Sequence, residues 1–412
     1  MRPFSIATTG EKSNHCGMES KHDLISKRRT FLGSMAGFLG VGFLAWLDSW
    51  NKAKAGDVSF MNNLPDPVTS GKELPTFKFQ LEKQKGRVKG GSSVKAATAI
   101  NFPISKSFAG ASMWLESGGM RELHWHSNAA EWTYIVEGRI RITIIDPEGR
   151  SEVNEFSAGD VWFFPRGHAH MLECLGDQPA HFILIFDNGY FDEFGTFSLT
   201  DWIAHTPKKL LAKNFRVPEE TFDTFPKGEL YFSKGKIPSE KSPDPLQPRK
   251  PSLLTHKGTL KTAKPQREFP GGKEWMLDST RFPIAKTIAG VLFEIEPGAL
   301  RELHWHPNAD EWQYVLDGTF RVTLFGSGGR YREEILEKGD VGYIPQGYGH
   351  SIENIGDKTG QILLGLNTGK YEDIDLSSWL ASNSPEVLAT NFNQPAEVFS
   401  KFPKKDVFIA PR

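Results

Sequence analysis

Cysteine is nearly absent from this chain. Two in 412 residues, Cys16 and Cys174, exclude a disulfide framework. Cys16 falls in an N-terminal segment read below as removable. Cys174 then stands alone in a strand-like run, HMLECL, and reads as a buried structural thiol. An excess of either charge is missing too, with 49 Lys and Arg against 50 Asp and Glu. No basic run is interleaved with aromatics, which argues against a nucleic-acid partner. Also missing is an apolar stretch of the ~20 residues that a membrane span needs; the longest, GSMAGFLGVGFLAWL at 33–47, is short and diluted by glycine. What the chain has in quantity is turn formers, 40 glycines and 26 prolines, which favour many short strands over long helices.

The N-terminus has an order of its own. SKRRTFL at 26–32 places Arg28 and Arg29 before the apolar run, and AKA at 53–55 follows as a small-x-small site. Charged region, apolar region and cleavage site in that order predict a twin-arginine signal peptide over 1–55, cut after Ala55. The alternative is a short membrane anchor. Export by this route delivers a folded protein to the periplasm or beyond, with any metal loaded where its supply is controlled.

The hexapeptide RELHWH occurs at 121–126 and again at 301–306. Aligning residue i with i+180 extends the match without a gap from 101 to 189, through Gly110/Gly290, Gly138/Gly318, Gly159/Gly339 and Pro165/Pro345. A period this long is a duplicated domain rather than a solenoid. We draw the domains at 56–235 and 236–412, with the Pro-, Lys- and Ser-rich stretch 226–272 as a connector packed over the surface. Within each copy, EWTYIVEGRIRITIID and EWQYVLDGTFRVTLFG are β-branched and aromatic with a glycine at the bend. Gly-Asp and Pro-x-Gly turns follow at even spacing. Helical signal is confined to the ends of the copies, in DWIAHTPKKLLAKNF and SSWLASNSPEVLATNF. The chain is therefore expected to be all-β, two small antiparallel barrels or jelly rolls in tandem, each closed by short helices.

Chemistry concentrates in a repeated constellation. His124-x-His126, then Glu131, then His170 recur at identical intervals as His304, His306, Glu311 and His350. Residues two apart on a strand share a face, so each His-x-His pair looks into its barrel. A carboxylate from the next strand and a third imidazole after the Pro-x-Gly turn can then converge on one ion. Mixed nitrogen and oxygen donors suit Mn, Fe, Co, Ni or Zn, and spacing alone does not choose among them. A lone His-x-His is more often a core or surface pair. Here six of the chain's 12 histidines fall in these motifs.

Both clusters match the two cupin motifs, and the duplicated chain resembles the bicupins of the oxalate decarboxylase family. RELHWHxNxxEW in both halves, LTDWIAHTP at 199–207 and DVGYIPQGYGHSIENIGD at 340–357 carry the likeness over nearly the whole mature chain. The resemblance implies tandem double-stranded β-helix barrels, one Mn(II) in each, and dioxygen-dependent cleavage of oxalate to formate and carbon dioxide. It also implies trimers paired into hexamers.

Arg121 and Arg301 sit three residues before the first histidine. Alternation alone would turn them away from the metal, so the turn at the start of the motif must break it. The resemblance gives them the substrate's carboxylate; the plainer alternative is an ion pair with Glu122 or Glu302. The segment DNGYFDEFGTFSLTDW (187–202) is three residues longer before its tryptophan than NTGKYEDIDLSSW (367–379), as a lid over the first site would require. By resemblance Glu193 is the lid glutamate that handles the proton, which favours acidic pH. Phe194 and Gly195 depart from the small polar residues usual there. Leu364 stands where some relatives have a glutamate in the second barrel, which points to a second site that is structural or weakly active. His168 is expected in a solvated turn and His205 in a structural helix. Two rivals remain: an oxalate oxidase giving carbon dioxide and hydrogen peroxide, and a non-catalytic metal-binding cupin.

Overall fold

The apolar runs become strands buried on both faces, and the reason lies in how the two barrels meet. The computed structural model describes residues 74–242, 244–262 and 264–412, with Glu193 and Phe194 described by backbone alone. The signal-peptide reading at 1–55 lies outside the described residues. Among them, strands form four sheets, two of seven strands and two of six, and each barrel is one sheet of each size. In the first barrel, Ala180–Phe186 is buried at every position, and Glu131–Glu137 at its first five. Both lie in a seven-stranded sheet. Alternate residues of that sheet serve different cores: Ile135, Phe182, Leu184 and Phe186 fill the barrel, whereas Trp132, Tyr134, Ile183 and Ile185 pack with the second barrel. The six-stranded sheet has one open face, and its outer strand Ser151–Ser157 is only half-buried. Continuous hydrophobicity thus marks a sheet covered on both sides.

The contact between barrels is reciprocal. A Cβ added at Gly290 would lie 2.1 Å from the Trp132 ring, and one added at Gly110 would lie 2.1 Å from Trp312. Each barrel thus offers a glycine as the seat for the other's tryptophan. Both indoles are fully buried.

Each copy also lends its first strand to the other. Lys78–Gln80 pairs antiparallel with Asp340–Ile344 of the second barrel. Lys257–Thr259 pairs with Asp160–Phe164 of the first. The connector therefore does not merely lie on the surface. Phe232–Lys234 adds to the edge of the ligand strand Gly119–His126, and the boundary drawn at 235/236 cuts through a segment whose later part completes the first barrel. Alternation and turn residues locate strands, but an exchange depends on which edge is free in three dimensions, which local pattern does not encode.

Short helices close each copy: Phe191–Gly195, Leu199–Ala204 and Lys208–Phe215 in the first, Leu376–Ala381 and Pro385–Phe392 in the second. Among the described residues no helix is long and apolar enough to cross a membrane.

Candidate metal centre and active site

In the first barrel, His124 and His126 come from Gly119–His126, His170 from the neighbouring strand Ala169–Leu175, and Glu131 from the facing sheet. Their donor atoms all lie within 4.8 Å of one another, and His304, His306, Glu311 and His350 repeat the group. All eight are buried.

The imidazoles are oriented from outside. Nδ1 of His124 donates to the Glu122 carbonyl (2.6 Å), that of His126 to the Thr196 hydroxyl (2.9 Å), and that of His170 to the His168 carbonyl (2.9 Å). In the second site the acceptors are the carbonyls of Glu302, Glu372 and Tyr348. With the proton on Nδ1, every Nε2 turns a lone pair inward. His126 Nε2 then faces Glu131 Oε2 at 3.1 Å, and His306 Nε2 faces Glu311 Oε2 at 2.8 Å. Nε2 of His126, His170 and His350 is buried without a hydrogen-bond partner. Lone pairs facing a carboxylate are unfavourable unless a cation lies between them, so the three nitrogens and one oxygen fit a divalent metal.

Electrostatics agree. Burial alone would raise the carboxyls of Glu131 and Glu311, but the paired imidazoles outweigh it and hold both well below the usual range. Burial, with Arg121 beside it, keeps His124 neutral, and burial with Arg301 does the same for His304. The second oxygen of each carboxylate is tied down differently. Trp162 Nε1 donates to Glu131 at 2.7 Å, whereas Gln313 donates to Glu311 at 2.7 Å.

Arg121 does reach the site, though not by a turn. His170 pairs with His124 and Leu172 with Arg121, so a β-bulge lies between them; Arg301 and His304 repeat it. One extra residue resets the alternation, and Arg121 lines a cavity of about 240 Å³ with His124, His126, Glu131, Phe186, Phe191 and Thr196. Neither glutamate of the motif takes the arginine as an ion pair. Glu122 accepts hydrogen bonds from the Tyr231 amide and from Thr200, and Glu302 from the Phe408 amide and Ser377. They anchor chain segments that return from far along the sequence.

The two arginines differ in company. Both stack on an aromatic ring, Arg121 on Tyr231 (3.7 Å) and Arg301 on Phe408 (3.9 Å). Arg301 is then claimed by Asp375 (2.6 Å) and Asp373 (2.7 Å). At the corresponding places the first site has neutral residues: Ser198 pairs with His124 as Asp375 does with His304, and Thr196 precedes it by two as Asp373 does Asp375. Among the described residues, the Tyr231 carbonyl at 3.4 Å is the hydrogen-bond acceptor of Arg121. Its guanidinium keeps donors for a ligand.

Glu193 lies in the helix Phe191–Gly195, directly before Thr196; its side chain, like that of Phe194, is outside the described residues. The Phe191 ring stacks on Phe186 at 3.6 Å, and both flank His126. A Cβ at Gly195 would meet the Asn128 carboxamide at 1.7 Å, so a larger residue there would require that side chain to move. Leu364 is buried in the second barrel's core. His168 is not solvated: it is half-buried against His256 (3.3 Å), which arrives with the exchanged strand. His205 is exposed at the end of its helix. Cys174 is buried, and burial pushes its thiol up. Sequence pattern missed Tyr231 and Thr196, which stand outside the repeated motifs.

The family Cupin matches this chain at 79–223 and 259–398. The oxalate decarboxylase OxdC of Bacillus subtilis (strain 168) is 40% identical over 77% of this chain and 82% of its own length. A probable oxalate decarboxylase of Arthroderma benhamiae is 36% identical over 83% and 85%. The structure of oxalate decarboxylase from Bacillus subtilis at pH 4.6 superposes with a TM-score of 0.79 at 36% identity, covering 86% of this chain and 94% of that one. A further structure of that enzyme concerns its Mn(II) centres. With its two barrels, its paired three-histidine, one-glutamate clusters and this likeness along most of its length, the chain belongs to the oxalate decarboxylase family of the cupins.

Proposed function

We infer that the chain is a Mn(II)- and dioxygen-dependent oxalate decarboxylase with its chemistry at the first site. The observation that carries this is the contrast between the arginines. Among the described residues no carboxylate forms an ion pair with Arg121, which leaves its guanidinium to a carboxylate substrate, while Arg301 is already neutralised by Asp373 and Asp375.

His124, His126, Glu131 and His170 would hold one Mn(II), and His304, His306, Glu311 and His350 the other. When bound, Mn(II) with dioxygen supplies the one-electron chemistry that loosens the carbon–carbon bond. The chain's own residues do the rest. Arg121 orients one carboxylate of oxalate. Phe186 and Phe191 wall the cavity with apolar surface and exclude water. Glu193 takes up the substrate's carboxyl proton and returns it to the carbon that becomes formate. Hydrogen oxalate thus becomes formate and carbon dioxide, with no net oxidant consumed. The proton requirement favours mildly acidic pH. Support for Glu193 comes from its place in the segment whose Phe191, Asp192 and Thr196 line the cavity.

The test uses the mature protein loaded with Mn(II), with oxalate in air, and formate and peroxide measured from one tube. Formate near one per oxalate supports decarboxylation, and Glu193→Ala should then abolish it. The second reading, oxalate oxidase, rests on the Phe194–Gly195 departure in the lid. Peroxide without formate would establish it instead.

We also propose export through the twin-arginine route with cleavage after Ala55, tested by the N-terminus of the exported protein. Homo-oligomers, trimers or hexamers, would cover the exposed apolar faces around Leu123, Ile145 and Trp202 and around Leu303, Phe325 and Trp379. Light scattering reads the mass directly.

A further inference from the structure

The cavity of the first site holds a second guanidinium that the reaction above does not use. Arg87, on the short strand Arg87–Lys89, lines the same cavity as Arg121 and the metal ligands. Its guanidinium carbon lies 4.1 Å from the centroid of the Tyr231 ring, the ring on which Arg121 also stacks. One ring therefore spaces two like charges, one buried beside the ligands and the other at the mouth, where the Arg87 side chain is 53% exposed. The ring is held there at a cost. Tyr231 adopts φ 58°, uncommon for a residue with a side chain. Its backbone is fixed on both sides by Glu122, which accepts from the Tyr231 amide (2.5 Å) and donates its own amide to the Tyr231 carbonyl (3.1 Å).

Stacking occupies the face of a guanidinium and leaves its in-plane N–H groups for acceptors. Arg87 currently lends one to Glu229 at 2.8 Å. Both partners of that ion pair are substantially exposed, and such a pair contributes little net stability. It is a tether that another carboxylate can displace. The second half shows the contrary arrangement. Arg267 occupies the place of Arg87, but its cross-strand neighbour is Glu274 where Arg87 faces Val94. Glu274 binds Arg267 through both oxygens, at 2.5 and 3.0 Å, and is fully buried. Counting Asp373 and Asp375 on Arg301, three carboxylates that close the second arginine pair are neutral residues in the first.

We propose that Arg87 is a carboxylate-capture residue, the outer half of a two-guanidinium subsite that draws a small anionic dicarboxylate to the mouth and passes it to Arg121. Glu229 is the internal competitor it exchanges for the incoming ligand. The inference rests on the reading of oxalate as substrate, but it can be measured without turnover.

The experiment is equilibrium binding of oxalate to the Mn(II)-loaded protein with dioxygen excluded, at low ionic strength, for three proteins. Arg87→Gln should weaken binding about three- to fivefold, and Glu229→Gln should tighten it by a similar factor. Both differences should shrink as salt is added. A structural role for the Arg87–Glu229 pair predicts shifts in the same direction for both variants, because either one breaks it. That outcome, or no shift in either, overturns the proposal. Formate yield from the unaltered protein is read separately. Opposite shifts without formate would retain the capture residue and sink the decarboxylase reading, whereas no oxalate binding at all would sink both.

Discussion

A guanidinium with donors to spare marks off the first of two sites whose three-histidine, one-glutamate groups match. Replacing Arg121 by Gln removes charge-assisted hydrogen bonds worth about 1.5–3 kcal/mol, so kcat/KM for oxalate should fall roughly ten- to a hundredfold with the fold intact. Replacing Arg301 by Gln should do the reverse. It leaves the buried Asp375 without its cation, whereas Asp373 keeps Arg267, so thermal stability falls, by about 3–5 kcal/mol for a broken buried pair, while formate production per folded molecule persists. Burial lifts Asp375 to about 6 against the pull of Arg301, so this loss is larger above that pH than below it. Gly195→Ala is a third case: its methyl group must displace the Asn128 carboxamide, and under the proposed role of the segment Phe191–Gly195 the ratio of peroxide to formate should rise. At this scale the clustering of three histidines and one glutamate was legible because period two and identical intervals dictate which side chains share a face. The direction of Arg121 was not, since a bulge between Arg121 and His124 has no signature in those six letters. Tyr231 was hidden for another reason. It reaches the site from 110 positions downstream of Arg121, through the hydrogen bonds of Glu122, a residue that reads as ordinary surface charge.

Among elements, the exchanged strand Lys257–Thr259 deserves a pH experiment. Its approach is clamped by Glu152, which accepts from Thr255, from the His256 amide and from His256 Nδ1 at 2.7–3.0 Å. Burial would raise the Glu152 carboxyl, but the bonds from His256, Thr255 and Asn154 outweigh it and bring it to about 2 from an ordinary 4.5. A carboxyl depressed on folding contributes its full stability above its unfolded value. That contribution is lost as pH falls from about 4.5 through about 2. Glu152→Gln should therefore flatten acid unfolding in that window, and amide exchange along Asp160–Phe164 should quicken in the wild type first. The strands themselves were legible from alternation and turn residues, and so were the helices at the ends of the copies. Their partners were not: a run such as RVK or KGT offers no pattern that says which barrel it will join.

For the molecule as a whole, the seat of each tryptophan on the other barrel's glycine makes the halves one cooperative unit. Gly290→Ala puts a methyl group against the buried Trp132 ring. It should cost about 1–3 kcal/mol by overpacking, and because the ring belongs to the other half, both barrels should melt earlier in one transition. Removing the metals should likewise lower Tm, because ions bound only by the folded state stabilise it by mass action. The duplication itself was plain from the 180-residue repeat, whereas the interlock needed the glycine and the tryptophan to be seen together in space. The exchanged strands carry one more consequence, for the order in which the protein is made. Thr76, beside the first exchanged strand, donates to Glu334, 258 positions away. At about 5–20 residues per second, a ribosome adds the second partner on the order of ten to fifty seconds after the first. Throughout that interval the opening strand of the nascent chain has no edge to join, whereas the first barrel lacks its borrowed strand only until Lys257–Thr259 is made. The first half therefore waits only for the opening of the second, and the second barrel is completed by a strand made at the start of the chain.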